Sequence, residues 1–338
     1  MGEDGVEVRR VFVDTANGAK PHRCYDPDRE EFFEVGRLRD LKDYGEVYID
    51  SSLFPGMWAD LRVLVIDRGV RVFYFAWPWM WREFRQIFRD RLRERFGKIK
   101  TDYGDAWILY KIYAGFEDIS KMVWLPSKQP FRQITYIDVE LRPLLTLERD
   151  AERELRRVYQ RLELGMDAVV EFDLDSEIEA RKKRLEAVRK GVVSKALKVW
   201  SRFMDIAAAL GLGEDDLRGL TGLAGSITFI GWPLKRLSVR KAVHYFGLYR
   251  PSREDRLKFM ERTGRRFRKH YSGFARRYLN MLTMSILSKE GRYPPKAKDE
   301  KDVLRKLIKA LKQLSPPGSR RAKTAQRLAS VNFCPAGS

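Results

Sequence analysis

The sequence is poor in the residues that cross-link or metallate small domains. Its two cysteines, Cys24 and Cys334, stand near opposite ends of 338 residues, and His22, His244 and His270 are scattered. That excludes a disulfide framework and a Cys/His zinc cluster. No run of about 18 apolar residues occurs, so no membrane partner is expected. The opening "MGEDGVEVRR" is polar and unlike a secretory leader. Acids are in short supply too: 47 Asp and Glu face 67 Lys and Arg, a formal net charge of +20. An excess of that size points to a polyanionic partner, because neutralising phosphates releases counterions. The expected setting is cytoplasmic and nucleoid-associated. What the chain does have, 44% hydrophobic and 12% aromatic residues, supports packed cores.

The pattern along the chain predicts an α/β part followed by an α part. "VRRVFVDTA" reads as a strand ending at Asp14. "KPHRCYDP" and "EEFFEVG" are two more, separated by Asp26 and Pro27, and "GEVYIDSS" is a fourth, ending at Asp50. "GMWADLRVLVIDRG" has helical spacing and stops at Gly69, and the continuously apolar "VRVFYFAW" reads as a buried fifth strand. Pro78 opens one long helix, "PWMWREFRQIFRDRLRERFG", before a last helix in this part.

Residues 139–211 read as a helical hairpin or coiled coil. One stripe is Leu147, Ala151, Leu155, Val158 and Leu162, and the other runs from Ile178 through Val192 to Leu210. Residues 212–290 form a basic, mainly helical segment with a Gly-rich turn at "LTGLAGSITF" and a helix ending at Gly247. Residues 291–338 add a basic helix and a tail. The first part accordingly covers residues 1–138.

Between Gly97 and Gly115, "GKIKTDYGDAWILYKIYAG" places Asp102 and Asp105 three residues apart at the head of a helix. Ala106, Leu109, Tyr110 and Tyr113 mark its expected buried face. Thr101 or Asp102 is a candidate cap, with Asp105 favouring the positive helix end. Asp14 and Asp50 close two strands, and ligands in open α/β sheets sit beyond the carboxyl ends of strands. Adjacent first and fourth strands would bring all four carboxylates together. Such a set suits two hard cations, magnesium or alternatively manganese, for phosphodiester chemistry.

These residues resemble the recombinases (transposases) of the insertion-sequence one-hundred-and-ten type. The likeness lies in "VFVDTANG", "VYIDSSLFPGMWADL" and "KTDYGDA", the last similar to the family's "KTDxxDA". Downstream, "LTGLAGSITF" is similar to its helix-hairpin-helix turn "IPGIGPxTA", and "RLSVRKAVHYFGLYRPS" and "GFARRYLNML" to later motifs. The likeness spans most of the chain to about Leu287. It implies a RuvC-like, ribonuclease-H-fold mixed sheet with a metal-binding set at Asp14, Asp50, Asp102 and Asp105. At Asp50 the family usually has Glu. It also implies a serine nucleophile in the basic segment, double-stranded DNA as substrate, and a structured noncoding guide RNA as a second partner. A homo-oligomer, dimer or tetramer, is expected.

The nucleophile is where the sequence departs from the family. Ser252 follows Pro251 directly, Thr263 has the following Gly at a longer spacing, and Ser272 lies further on. Ser252 is the first candidate and Thr263 the second. Between Pro251 and Glu290, eleven Lys or Arg face four acids, interleaved with Phe259, Phe267, Tyr271, Phe274 and Tyr278. Arg262, Arg265, Arg266, Arg268, Lys269, Arg276 and Arg277 are the expected nucleic-acid contacts, with aromatics for stacking. Alternatives to a transposase are a RuvC-type junction nuclease using water, and an inactive nucleic-acid-binding derivative.

Overall fold

The computed structural model describes residues 8–17, 20–50, 55–76, 80–122, 130–165, 173–230, 252–263, 272–292 and 294–314, with eight more positions between 238 and 249. Contacts divide the chain into two compact units, Met1–Glu140 and Leu141–Ser338.

The first unit holds a six-stranded mixed sheet. Its strands are β1 (Arg10–Asp14), β2 (His22–Asp26), β3 (Glu31–Val35), β4 (Glu46–Ile49), β5 (Arg71–Phe75) and β6 (Phe131–Ile134), in the order β3-β2-β1-β4-β5-β6. β1, β4 and β5 run parallel, β2 and β3 form an antiparallel hairpin beside β1, and β6 lies antiparallel to β5. The hairpin turns where the Asp26 carboxylate accepts from Asp28 N at 3.0 Å, and Glu30 adopts a positive φ of 54°.

Alternation along β1 sends Val11 and Val13 to one face and Phe12 to the other, as the two-residue period requires. The first face joins Val47, Ile49 and Val72 to Trp58, Leu61 and Leu64. The second is aromatic: Phe12, Tyr25, Tyr48 and Phe75 pack under Phe84, Leu92, Trp107 and Ile108. Each such fully buried large side chain is worth about 1.5–3 kcal/mol against exposure.

Several local expectations are corrected. The helical stretch before Gly69 is composite, with a 3₁₀ turn at Pro55–Met57, α1 at Trp58–Arg62 and a π-type turn at Val63–Asp67. The helix expected from Pro78 is two, α2 (Trp81–Ile87) and α3 (Arg89–Phe96), broken at Phe88; Pro78 itself lies outside the described residues. Gly97, at φ 69°, ends α3 in the left-handed conformation that glycine tolerates best. Helix α5 (Phe116–Met122) and strand β6 were not anticipated. Residues 120–140 lack a two-residue alternation strong enough to reveal a four-residue edge strand.

The second unit is helical. Most of α6 (Tyr136–Glu163) belongs to it, and α7 (Leu174–Val199) returns alongside. Val158 packs with Leu174 and Ile178, while Glu154 pairs with Arg181 and Arg184, and Glu148 with Arg189. Contacts that move backwards along α6 as they advance along α7 define an antiparallel hairpin within the chain. Leu147, assigned to the apolar stripe, is 41% exposed, and the second stripe is cut at Trp200 before α8 (Phe203–Ala209).

The Gly-rich turn expected at "LTGLAGSITF" is not a turn. Leu217–Ile230 is one helix, α9, buried from Gly219 onward. Its glycines serve close approach to α11 (Gly273–Lys289), which follows α10 (Arg253–Thr263). A Cβ on Gly222 would stand 2.6 Å from Leu282 N, and one on Gly225 would stand 2.2 Å from the Tyr278 ring. Glycine spacing reads as a hinge in sequence, yet on a buried helix it is a contact groove. Farther on, the bonds Phe246 N to Ala242 O and Leu248 N to Val243 O, with Gly247 at φ 67°, end a helical turn as expected. The basic helix of the last segment is α12 (Ala297–Leu314). No helix of the described residues is long and apolar enough to cross a membrane.

Candidate active site

The four aspartates sit in the first unit on elements that the sheet order juxtaposes. Asp14 is the last residue of β1, and Val13 pairs with Ile49 on β4. Asp50 follows β4 directly and its N–H donates to Val13 O at 3.1 Å. The next residue after Asp14 fixes the Asp50 carboxylate: Thr15 N donates to Oδ1 at 3.0 Å, and the Thr15 hydroxyl donates to the same oxygen.

Helix α4 (Asp102–Ala114) packs on β1, β2 and β4. Its cap is Thr101, whose hydroxyl oxygen accepts from Gly104 N at 2.9 Å. Capping therefore does not occupy the Asp102 carboxylate, and Asp102 is exposed. Asp105 is buried and held by Arg85 of α2, whose Nε donates to Oδ1 at 2.8 Å with a second bond from Nη2 to Oδ2. The expected amphipathic face of α4 is corrected. Asp105 through Leu109 are all buried, Ile112 as well, while Tyr113 is 38% exposed. The helix is enclosed on both sides because Trp107 and Ile108 face the aromatic core from α2 and α3.

Electrostatics ties the four together. Burial pushes the Asp14 carboxyl up to about 8, and repulsion from Asp50, Asp105 and Asp102 adds to the shift, partly offset by Arg85. A carboxylate group resisting ionisation beside three others is the environment that a bound cation relieves. Hard oxygen donors suit magnesium or manganese by chemistry. Among the described residues, however, no three His, Cys, Asp or Glu side chains stand in a ready metal-holding group. Arg85 is the cation the fold itself supplies there.

Sequence reasoning missed Thr15 and Arg85. A hydroxyl directly after a strand-ending acid was a signal for the first. For Arg85, the signal was a lone arginine between the apolar positions Phe84 and Phe88.

In the second unit, Ser252 is exposed and immediately precedes α10, with its carbonyl accepting from Arg256 N at 3.2 Å. Of Arg262 and Thr263 only the helical backbone is described. Arg265, Arg266, Arg268 and Lys269 lie outside the described residues. Ser272 caps α11 by accepting from Ala275 N at 3.1 Å.

Arg276 and Arg277 are engaged inside the unit. Arg276 donates to Glu300 at 3.0 Å and to Phe246 O at 3.0 Å. Arg277 donates to Glu148 at 2.6 Å and also pairs with Glu152. Tyr278, expected as a stacking ring, is fully buried and donates to Leu145 O at 2.6 Å. Searched against family models, curated proteins and solved structures, the chain has no match.

Proposed function

We propose that the chain is a DNA transposase or recombinase that cleaves and exchanges strands with divalent-metal help, on a RuvC-like, ribonuclease-H-type first unit. The observation that carries this reading is the placement of Asp14 and Asp50 at the same end of the adjacent parallel strands β1 and β4, with α4, which bears Asp102 and Asp105, packed on both. The strand order β3-β2-β1-β4-β5, with the hairpin antiparallel and the rest parallel, supports the ribonuclease-H assignment.

Asp14, Asp50 and Asp102 would hold the metal, with Asp105 joining from its Arg85 pair. A metal bound there would supply charge neutralisation at the scissile phosphate and activation of the attacking oxygen. Thr15 fixes the Asp50 carboxylate, and Arg85 limits repulsion around Asp105 before any cation arrives. Ser252, with Thr263 second, is the hydroxyl that would link to DNA in a transposase. A basic chain without a spanning helix among its described residues suits a nucleoid-associated oligomer working on DNA, with a structured RNA as guide.

A junction nuclease using water is the second reading. It is favoured by the place of Ser252 directly before a helix, where hydroxyls commonly cap. The test incubates the protein with magnesium and labelled duplex spanning the DNA that flanks its gene, and resolves products on a denaturing gel. A protein–DNA adduct lost in Ser252→Ala and in Asp102→Asn is the expected result. Cleaved ends with no adduct at any time point select the nuclease. Cleavage unchanged in both Asp14→Asn and Asp102→Asn overturns the carboxylate site.

A further inference from the structure

We propose that Arg91, Arg95 and Lys111 form a nucleic-acid backbone contact on the first unit, apart from the four carboxylates. Arg91 and Arg95 lie four residues apart on α3, hence on one side of it, and both are exposed. Lys111 belongs to α4, six residues beyond Asp105, or about 9 Å along the axis.

The three cations are close enough to feel one another. Burial lowers the Lys111 ammonium from its ordinary value, and Arg91 and Arg95 lower it further, while Glu30 opposes them. No ion pair joins any of the three to a carboxylate among the described residues. Elsewhere in this unit, Arg9, Arg10, Arg39, Arg62, Arg71 and Arg85 each have one. Asp90 and Glu94 share α3 but are each offset by one residue from the pair, about 100° around the helix.

Aromatic rings underlie the patch. The Arg95 guanidinium lies 5.3 Å from the Phe32 ring centre, 5.9 Å from Tyr25 and 6.0 Å from Trp107. Lys111 Nζ lies 4.9 Å from Tyr110 and 5.2 Å from Trp107. Rings hold the cations in place without neutralising them, as a carboxylate would. Like charges gathered with only Glu30 opposing them cost stability, and a polyanion that crosses all three removes that cost. A phosphodiester backbone fits better than a lipid surface, because the patch has no exposed apolar residue around it to insert. Exposed large hydrophobic side chains of this unit are confined to Tyr113 and Tyr136 among the described residues.

The contact deepens the proposed function but is tested apart from cleavage. Binding of a short labelled DNA duplex is followed by fluorescence anisotropy in EDTA over a salt series. The Arg91→Ala/Arg95→Ala/Lys111→Ala variant should bind at least about tenfold more weakly at low salt. Its log–log salt slope should fall by roughly 2–3, about 0.9 for each lost phosphate contact. The variant Arg91→Lys/Arg95→Lys should keep the slope. Because Lys111 is half-buried, Arg91→Glu with an unchanged melting curve serves as a second variant, and it should weaken binding too.

An unchanged slope in the triple variant, with the parent still binding and cutting, overturns this contact and leaves the proposed function standing. A parent that binds no duplex overturns both. Tighter binding of the parent to phosphatidylserine vesicles than to duplex, lost in the triple variant, overturns the nucleic-acid assignment in favour of a lipid surface.

Discussion

Arginine is used in opposite ways in two regions, the Glu148 network of the second unit and the α3–α4 face of the first. In the Glu148 network, arginines close around a buried acid: Glu148 is fully buried and receives Arg189 at 3.1 Å, Arg277 at 2.6 Å and the Tyr278 hydroxyl at 3.1 Å. In the first unit, α3 and α4 hold Arg95 and Lys111 over rings, with no ion pair to a carboxylate among the described residues. A buried guanidinium must be paired or it destabilises the fold, whereas a cation on an aromatic shelf keeps its charge for solvent or a ligand. Arginine count alone therefore does not say which guanidinium groups are ion-paired inside the fold. Arg276 and Arg277, expected as phosphate contacts, also pair with Glu300, Glu148 and Glu152 inside the second unit, while Arg91 and Arg95 on α3 make no ion pair among the described residues.

The largest expected effect breaks the second unit at its closest helix approach. Gly222→Val places a branched side chain against the Leu282 backbone, where even a Cβ stands 2.6 Å from the amide nitrogen. A loss of about 3–5 kcal/mol is expected in chemical denaturation, more than ordinary overpacking because backbone rather than a side-chain tip must move.

Next, the arginine contrast is sharpened by a matched pair. Arg277→Ala removes one guanidinium from the buried Glu148 and the pair to Glu152 and should cost about 3 kcal/mol, whereas Arg95→Ala should cost under about 1 kcal/mol. Equal losses in the two melting curves would erase the distinction.

The smallest effect concerns the acids. Burial, with repulsion from the neighbouring carboxylates, pushes the Asp14 carboxyl up to about 8 from its ordinary 3.8. A raised acid contributes stability that is fully present below about pH 4 and lost as pH rises through about 8. In EDTA, Asp14→Asn should flatten that decline and, at pH 8 and above, exceed the parent by roughly 1–3 kcal/mol, discounted for residual solvent access. A parent whose stability rises across this window would show that the four carboxylates do not repel as placed.

Much of the sheet was legible in the residues themselves. β1 to β4 read as short strands between turn residues and β5 as a continuously apolar run, Asp26–Pro27 and Gly69 marked breaks, and the acids Asp14 and Asp50 fell at strand ends as expected. Helices α6, α7 and α12 were legible too, since their stripes repeat at helical spacing. Those signals are local, and a local pattern carries its own period whatever packs against it.

Tertiary structure decided what local pattern cannot encode. Whether α4 buries one side or nearly all of itself depends on α2 and α3 arriving over it. Whether Gly222 and Gly225 make a turn or a groove depends on α11 lying against them. Arg85 becomes the partner of Asp105 from twenty residues away in sequence, and Arg277 that of Glu148 from 129. Burial and charge pairing belong to surfaces that meet only after folding, so the sequence by itself determined five strands, the long helices and the candidate acids. The packing decided which cations are internal and which face outward.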